Sequence, residues 1–571
     1  MKILFLTTAH NTLSQRLQVE LEERHHQVSI ELALSDEQML EAVELWQPEL
    51  ILCPFLKRAV PETIWSRYPT LIVHPGIRGD RGAYSLDHAI MQAQPVWGVT
   101  LLQANAEMDA GDIWAWREFP MREASKSSIY QNEVVEAAVA CVLEALERFP
   151  AWQAGVWKPT PLAEVQEARG VLHPVLKQKD RAIDWGRMPT KEILRRIRAA
   201  DGSPGVLDEV LGMPVYLFGA HAQPGVEVGL PGEVLGQREG AILRKTVDGA
   251  IWISHLKAKG GIKLPAVQVL GERAQTLPVW GDEFNGANYQ EIRYWEESLE
   301  VEGLVQTVGH LAWEFQGGGM RTEQARALQK KLQEAARRPT AALVLWGGYD
   351  VFSNGIHLGA IEAAKDAALE SWENINAIDD VVREILLMPK LTVSAVRGHA
   401  GAGGAVLALA ADRVYLREGV VLNIHYKGMG LYGSEYWTFI LPRWIGKRKA
   451  LEVTESLKPL GAQQAVRMGL VSGVLHKDRE AFVHELEEVL RELLEPRRLS
   501  TLLEIKAANR QALEAQKPLE RYRQEELAEM ARCFWGDSAY HQARHAFVYK
   551  LPPAETPAHL ALHRQAKAVS R

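Results

Sequence analysis

The chain has 571 residues, too many for one hydrophobic core, so two or three domains are expected. Its 47% hydrophobic and 24% charged residues fit a globular protein, and a net charge of −7 argues against a nucleic-acid-binding scaffold, which would carry a basic face. Three scattered cysteines, Cys53, Cys141 and Cys533, lack metal-ligand spacing; they read as free thiols of a reducing cytoplasm, and no metal is expected.

The first ten residues, MKILFLTTAH, are apolar only from Ile3 to Leu6, which fits a buried first strand rather than a signal peptide. No stretch approaches the ~18 apolar residues of a membrane span. The pattern then predicts a helix over Ser14–Arg24, a strand at Gln27–Ala33 and a helix at Asp36–Leu45. Strands follow at Leu50–Cys53 and Thr70–Val73, the latter running into His74-Pro75-Gly76. This alternation implies a parallel sheet with helices on both faces, and ligands in such sheets lie beyond the carboxyl ends of the strands. From about Thr160 the pattern changes to an amphipathic helix (Thr190–Ala200) and short strands broken by glycine and proline, which suggests a small β-barrel. The polar stretch from Gly271 to Glu297, with Pro278, Gly281 and Gly286, reads as a linker. Strands then recur at 343–346, 392–398 and 413–417, and Trp535–Tyr549 has a helical pattern. The expected division is 1–160, 161–272, a linker at 273–300, and 301–571.

The stretch LIVHPGIRGDRGAYSLDHAI (71–90) with AEMDAGDIW (106–114) resembles the formyl-tetrahydrofolate-dependent formyltransferase family. His74 and Asp109 fall on that family's catalytic His and Asp, and the resemblance also implies folate contacts from Ser14, Arg16, Arg81, Gly82 and Asp112. Formyl transfer passes through a tetrahedral oxyanion, which needs a positioned donor such as His74. A carboxylate such as Asp109 can hold the imidazole and manage the exchanged proton. Where the family usually has Asn, two residues before the His, this chain has Ile72. The hydrolase domain of 10-formyltetrahydrofolate dehydrogenases carries Ile there too and passes the formyl group to a thiol, so Ile72 hints at a thiol acceptor. Residues 180–202 and the predicted barrel resemble the C-terminal domain of methionyl-tRNA formyltransferases.

Residues 341–360 (AALVLWGGYDVFSNGIHLGA) and 393–409 (VSAVRGHAGAGGAVLAL) resemble the two glycine-rich loops of the crotonase (enoyl-CoA hydratase/isomerase) family. Residues 460–475 match a third segment. There, two backbone amides clasp a thioester oxygen, and glycines let the backbone approach. The matching donors are Ile356 and Gly403, with Asn354 and Gly355 beside the CoA. Hydratases carry a Glu where this chain has Val406, so hydration by paired carboxylates is not expected. His425, Tyr426, Tyr432 and Glu435 remain nearby, each an acid–base candidate or part of an aromatic wall. Glu435 stands out, since a carboxylate amid aromatics needs a reason to be there. Arg544 and Lys550 are CoA-phosphate candidates, or else a solvated basic face.

A formyltransferase joined to a crotonase domain looks like the HypX (HoxX) family of NiFe-hydrogenase maturation proteins. The resemblance implies an α/β architecture: a Rossmann-like formyltransferase domain, an OB-like β-barrel and a crotonase-fold domain with C-terminal helices. It further implies synthesis of carbon monoxide for the hydrogenase iron. The formyl group of 10-formyltetrahydrofolate would pass to coenzyme A, formyl-CoA would lose CO, and hydrogenase maturation proteins would receive it. The alternative keeps both folds but ends in formyl transfer or hydrolysis, with the crotonase half an interaction module.

Overall fold

The computed structural model describes residues 1–166, 168–280 and 289–568. It divides into two compact units, Met1–Tyr289 with Pro552–Arg571, and Gln290–Leu551. No helix among the described residues is long and apolar enough to cross a membrane.

The first unit opens with β1 (Lys2–Thr7), α1 (Thr12–Glu23), β2 (Gln27–Leu32), α2 (Asp36–Trp46), β3 (Leu50–Cys53) and β4 (Thr70–His74). Strand β1 is apolar at every position from Ile3 to Leu6 because both of its faces are covered. Ile3 and Phe5 join one core, Leu4 and Leu6 the other. The sheet order is β2-β1-β3-β4-β5-β6, where β5 (Val96–Gln103) and β6 (Ile113–Pro120) form a hairpin. The expected all-parallel sheet is thus corrected: β5 runs antiparallel to β4, and β6 antiparallel to β5. That hairpin carries Asp109 in its turn.

Helix α3 (Ser85–Met91) follows β4, and α4 (Thr190–Ala200) opens the second half of this unit. Strands β7 (Val206–Val210), β8 (Met213–Gln223), β9 (Val234–Arg238), β10 (Ala241–Lys245), β11 (Ala250–Ala258) and β12 (Leu264–Pro265) make a six-stranded antiparallel sheet. One face of it buries Ile193, Leu194 and Ile197 of α4.

The last residues of the chain pack in this unit, whereas the sequence reading assigned everything after 301 to the third domain. Strand β2 is a sheet edge with polar residues pointing inward, and the tail completes it. The Ile30 amide donates to the Leu560 carbonyl at 3.0 Å and the Leu32 amide to Thr556 Oγ1 at 2.9 Å. His563, 1% exposed, places Nδ1 2.7 Å from Ser29 Oγ and Nε2 2.8 Å from the fully buried Glu31 carboxylate. Arg564 adds an ion pair to Glu31 at 3.1 Å. His563→Ala is therefore expected to destabilise this unit by roughly 3 kcal/mol, the low end for a broken buried pair because Arg564 and Thr556 remain. A urea titration of the full chain measures it.

In the second unit, β13 (Ile292–Val301) pairs with β14 (Leu304–Trp313), so the expected linker is partly strand. Val279, at the other end of that stretch, bridges to Gln237 in the first unit, and Gly281 and Gly286 lie outside the described residues. The main sheet continues through β15 (Ala342–Gly347), β17 (Leu391–Val396), β19 (Arg413–Arg417) and β22 (Gly473–Leu475). A second sheet joins the short strands β16 (Val351–Ser353), β18 (His399–Gly401), β20 (Val421–Asn423) and β21 (Leu460–Gly461). Strands β16 and β18 each end at one glycine-rich loop. Their parallel pairing brings the two loops side by side. The expected helix over Trp535–Tyr549 is two: Trp535 closes Leu519–Trp535, and Tyr540–Tyr549 begins anew after Gly536-Asp537-Ser538, a breaker sequence.

Candidate active sites

His74 is the last residue of β4, at the carboxyl edge of the sheet, and is 5% exposed. Its Nδ1 lies 3.5 Å from Asp109 Oδ1, and its Nε2 lies 2.8 Å from Asp80 Oδ2. The imidazole thus lies between two carboxylates: Asp80, which the sequence reading did not single out, at hydrogen-bond distance, and Asp109, the expected partner, farther off on the other nitrogen. Asp109 sits in the β5–β6 turn at φ +54, a left-handed conformation that strains a non-glycine residue. Its Oδ2 accepts the Gly82 amide at 3.1 Å. Gly76 is required here: a Cβ on it would lie 2.4 Å from both Asp80 Oδ2 and His74 Nε2. Ile72 shares the face of β4 with His74 and packs half-buried against the core beneath the sheet.

The other expected folate residues are placed less uniformly. Ser14 is buried and spends its hydroxyl inside the β1–α1 turn, on Asn11 Oδ1 at 3.1 Å. Arg16 is buried and paired with Glu20 one helical turn on. Both therefore hold local structure. Arg81 pairs with Glu107 and Asp112 is exposed, at the rim beside Asp109.

In the second unit the loops meet closely. Gly355 has φ +73, and a Cβ on it would lie 3.2 Å from the Gly403 nitrogen. The Met320 amide donates to the Gly355 carbonyl at 2.8 Å, which fixes the peptide leading into Ile356. Gly403 opens a short helix (Gly403–Leu409), and a Cβ there would fall 1.8 Å from Glu435 Oε1. The Glu435 carboxyl therefore rests directly against the Cα of Gly403, in the space a side chain would fill. Asn354 is exposed and bonds the Gly317 carbonyl at 2.8 Å. Val406, where hydratases carry Glu, is fully buried in the core.

Glu435, 1% exposed, accepts from the Tyr426 hydroxyl at 2.8 Å and from the Ser434 amide at 3.1 Å. Glu435 and Tyr436 both have φ +60, a strained pair that costs about 1–3 kcal/mol each and needs outside support. Asp379, on the helix Ala367–Leu387, supplies it by accepting the Glu435 amide at 2.8 Å and the Ser434 hydroxyl at 2.9 Å. Burial, then the charge of Asp379, pushes Glu435 up to about 8. Burial likewise raises Asp379 to about 7, against the nearby Arg523 guanidinium. Glu526, fully buried under Thr438, is also raised well above a usual carboxyl by burial and the same charges. The Tyr426 phenol is held far above its ordinary value by burial and by Glu435. His425 donates Nδ1–H to the Asn423 carbonyl at 2.9 Å, and burial lowers its pKa, so it is a neutral ring with Nε2 as acceptor. Tyr432 packs against Trp437 as part of the wall, with ring centroids 5.5 Å apart and planes tilted by 53°.

Arg544 is not a free phosphate ligand: it is buried and bonds Glu362 at 2.7 Å, tying two helices together. Lys550 is exposed at a helix end.

Sequence reasoning missed Asp80, Ser85, His173, Asp379 and Glu526. Asp379 was detectable, since it falls on the apolar stripe of its helix with Ile375, Ile378 and Val382, where an acid is out of place. Asp80 lies within the quoted motif but gave no signal of burial.

Comparison with known proteins supports both halves. A family model described as formyl transferase matches residues 8–146, one described as formyl transferase, C-terminal domain, matches 175–273, and one described as enoyl-CoA hydratase/isomerase matches 319–554. The chain is a formyltransferase module followed by a crotonase-fold domain. Hydrogenase maturation factor HoxX of Bradyrhizobium diazoefficiens is 45% identical over 576 residues, covering 100% of this chain and 99% of that protein. HypX from Aquifex aeolicus, solved in complex with tetrahydrofolic acid, is 44% identical with a TM-score of 0.92, covering 99% of each chain. A methionyl-tRNA formyltransferase of Ralstonia nicotianae is 26% identical over 245 residues, 42% of this chain and 72% of that one. The chain belongs to the HypX/HoxX family of hydrogenase maturation factors.

Proposed function

We propose that this protein makes carbon monoxide for the iron of a NiFe-hydrogenase, from the formyl group of 10-formyltetrahydrofolate by way of coenzyme A. The formyltransferase module, similar throughout to a protein solved with tetrahydrofolic acid, supplies the first step. A thiol attacks the formyl carbon and passes its proton to the His74–Asp109 pair, the protonated His74 Nδ1 donates to the oxyanion, and the carbon–nitrogen bond breaks as that proton moves on to N10. Arg81, Gly82 and Asp112, at the rim, are the folate contacts in this reading; Ile72 offers no amide to an amine acceptor.

The observation that carries the second step is the buried Tyr426–Glu435 pair against Gly403, in a domain without the hydratase Glu. The Ile356 and Gly403 amides hold the thioester oxygen, with Asn354 and Gly355 lining the CoA. Glu435 takes the formyl proton, the carbon–sulfur bond breaks, and Tyr426 protonates the leaving thiolate before being reprotonated by Glu435. The balance is formyl-CoA to CoA plus CO, with no water consumed. His425, neutral, stands by as an acceptor. CoA is a substrate regenerated in each cycle, the reaction is cytoplasmic, and maturation proteins of the hydrogenase receive the gas.

Incubation with 10-formyltetrahydrofolate and CoA, with deoxyhaemoglobin as trap, is expected to yield CO in step with tetrahydrofolate. Formate as the sole product would falsify the decarbonylation. It would favour the second reading, formyl transfer or hydrolysis with an inert crotonase half, for which Val406 is the supporting observation.

A further inference from the structure

The formyltransferase site contains a carboxylate that its expected residues do not account for. Asp80 is 1% exposed, and a carboxylate so deeply buried is stable only with partners in place. They are the Ser85 hydroxyl, His74 Nε2 at 2.8 Å, and His173 Nε2 at 2.9 Å from the other oxygen, at an angle poor for a hydrogen bond. His173 arrives from a separate segment clasped along the motif. The Arg81 amide donates to the Val171 carbonyl at 3.1 Å, and the His173 amide to the Arg81 carbonyl at 3.0 Å. A Cβ on Gly170 would fall 1.8 Å from the Asp80 amide, so this clasp is tight. His88 stacks on His173 at 4.3 Å and points Nε2 at the Pro174 carbonyl, 3.0 Å away.

This geometry fixes protons. Asp80 accepts Nε2–H from His74, which leaves Nδ1 of a neutral ring as a lone pair facing Asp109. Two such acceptors 3.5 Å apart repel unless one proton is shared between them.

We propose that Asp80 is a positioning residue for formyl transfer: it locks His74 in the Nε2–H form, so that the proton exchanged with the folate travels between His74 Nδ1 and Asp109. Ser85 and His173 hold Asp80 in register for that task, as the supporting carboxylate of a histidine commonly is held. The inference rests on the formyltransferase reading of this site and adds to it the residue that sets the tautomer.

The test follows tetrahydrofolate release from 10-formyltetrahydrofolate by the full-length protein, with CoA as acceptor. In Asp80→Asn, the amide NH₂ can donate to Nε2 and favour the opposite tautomer. The expected result is a kcat lower by about 10²–10⁴-fold with KM for the folate little changed. The kcat–pH profile should shift as well, since His74, Asp109, His173, His88, Arg81 and Glu107 surround the site. Asp80→Glu should recover part of the loss. A kcat within threefold of the unmodified protein and an unchanged pH profile would overturn the inference, as would a loss confined to KM. If Asp80→Asn does not fold, His173→Ala removes a partner of Asp80 without touching His74. It should lower kcat about tenfold; an unchanged kcat there overturns the inference too. His74→Ala separates the two levels. If it leaves tetrahydrofolate release intact, the formyltransferase reading itself fails; if it abolishes release while Asp80→Asn does not, only the role of Asp80 fails.

Discussion

Gly403→Ala is expected to lower CO release by about 10²–10³-fold, the loss typical of a removed oxyanion donor, while tetrahydrofolate release continues. The reason is space rather than backbone preference. Gly403 does not have a left-handed φ, so alanine could adopt its conformation. Its Cβ, however, would lie 1.8 Å from Glu435 Oε1 and 2.3 Å from the carboxyl carbon. The carboxyl cannot slide away freely, because Oε2 is bonded to Tyr426 and the Ser434 amide, and the residue's own amide is fixed by Asp379. One methyl group therefore disturbs both the donor amide and the proton-handling pair. Formyl transfer at His74 should not respond. Measuring CO and tetrahydrofolate in the same reaction tests the claim, and CO release within threefold of the parent would refute it.

Asp379→Asn is expected to move the rising limb of the pH–rate profile for CO release to lower pH. In the proposed chemistry Glu435 must be ionised to accept the formyl proton, and burial with the neighbouring Asp379 charge holds its pKa up at about 8. Removing that charge lowers the pKa of Glu435, so the working form appears in more acidic solution. Asparagine can still accept from Ser434 and the Glu435 amide through its carbonyl oxygen, so the turn should persist. The same groups govern stability. The ordinary values of Asp379 and Glu435 are 3.8 and 4.5, and both are raised in the folded state. Their protonated forms thus favour folding. That contribution is complete below about pH 4 and is lost as the pH climbs through 7 to 8. Urea midpoints between pH 5 and 9 should fall with rising pH in the parent and fall less in Asp379→Asn. An unmoved rate profile would remove Asp379 from the site's electrostatics.

What the sequence determined by itself is whatever a short stretch of chain must satisfy locally. The strands Leu50–Cys53 and Arg413–Arg417 and the helix Thr190–Ala200 were legible residue by residue, because periodicity and breakers act within a few positions. His74, Asp109, Gly355 and Gly403 entered through the resemblance of their motifs to known families, and Glu435 through the oddity of an acid among aromatics; the chain alone carried no geometry for any of them. Tertiary structure decided which carboxylate serves which group. Asp80 and Asp109 were both present in the motifs, but only the packing of residues 168–173 over the loop closes a pocket around Asp80. Asp379 meets Ser434 across 55 residues, and His563 meets Glu31 across more than 500. Such pairs form because a buried charge must find a partner somewhere in the fold, and no local pattern specifies where. Arg544 illustrates the converse: in the chain it reads as a surface cation for phosphate, whereas in the fold the Glu362 carboxylate beside it claims the guanidinium first.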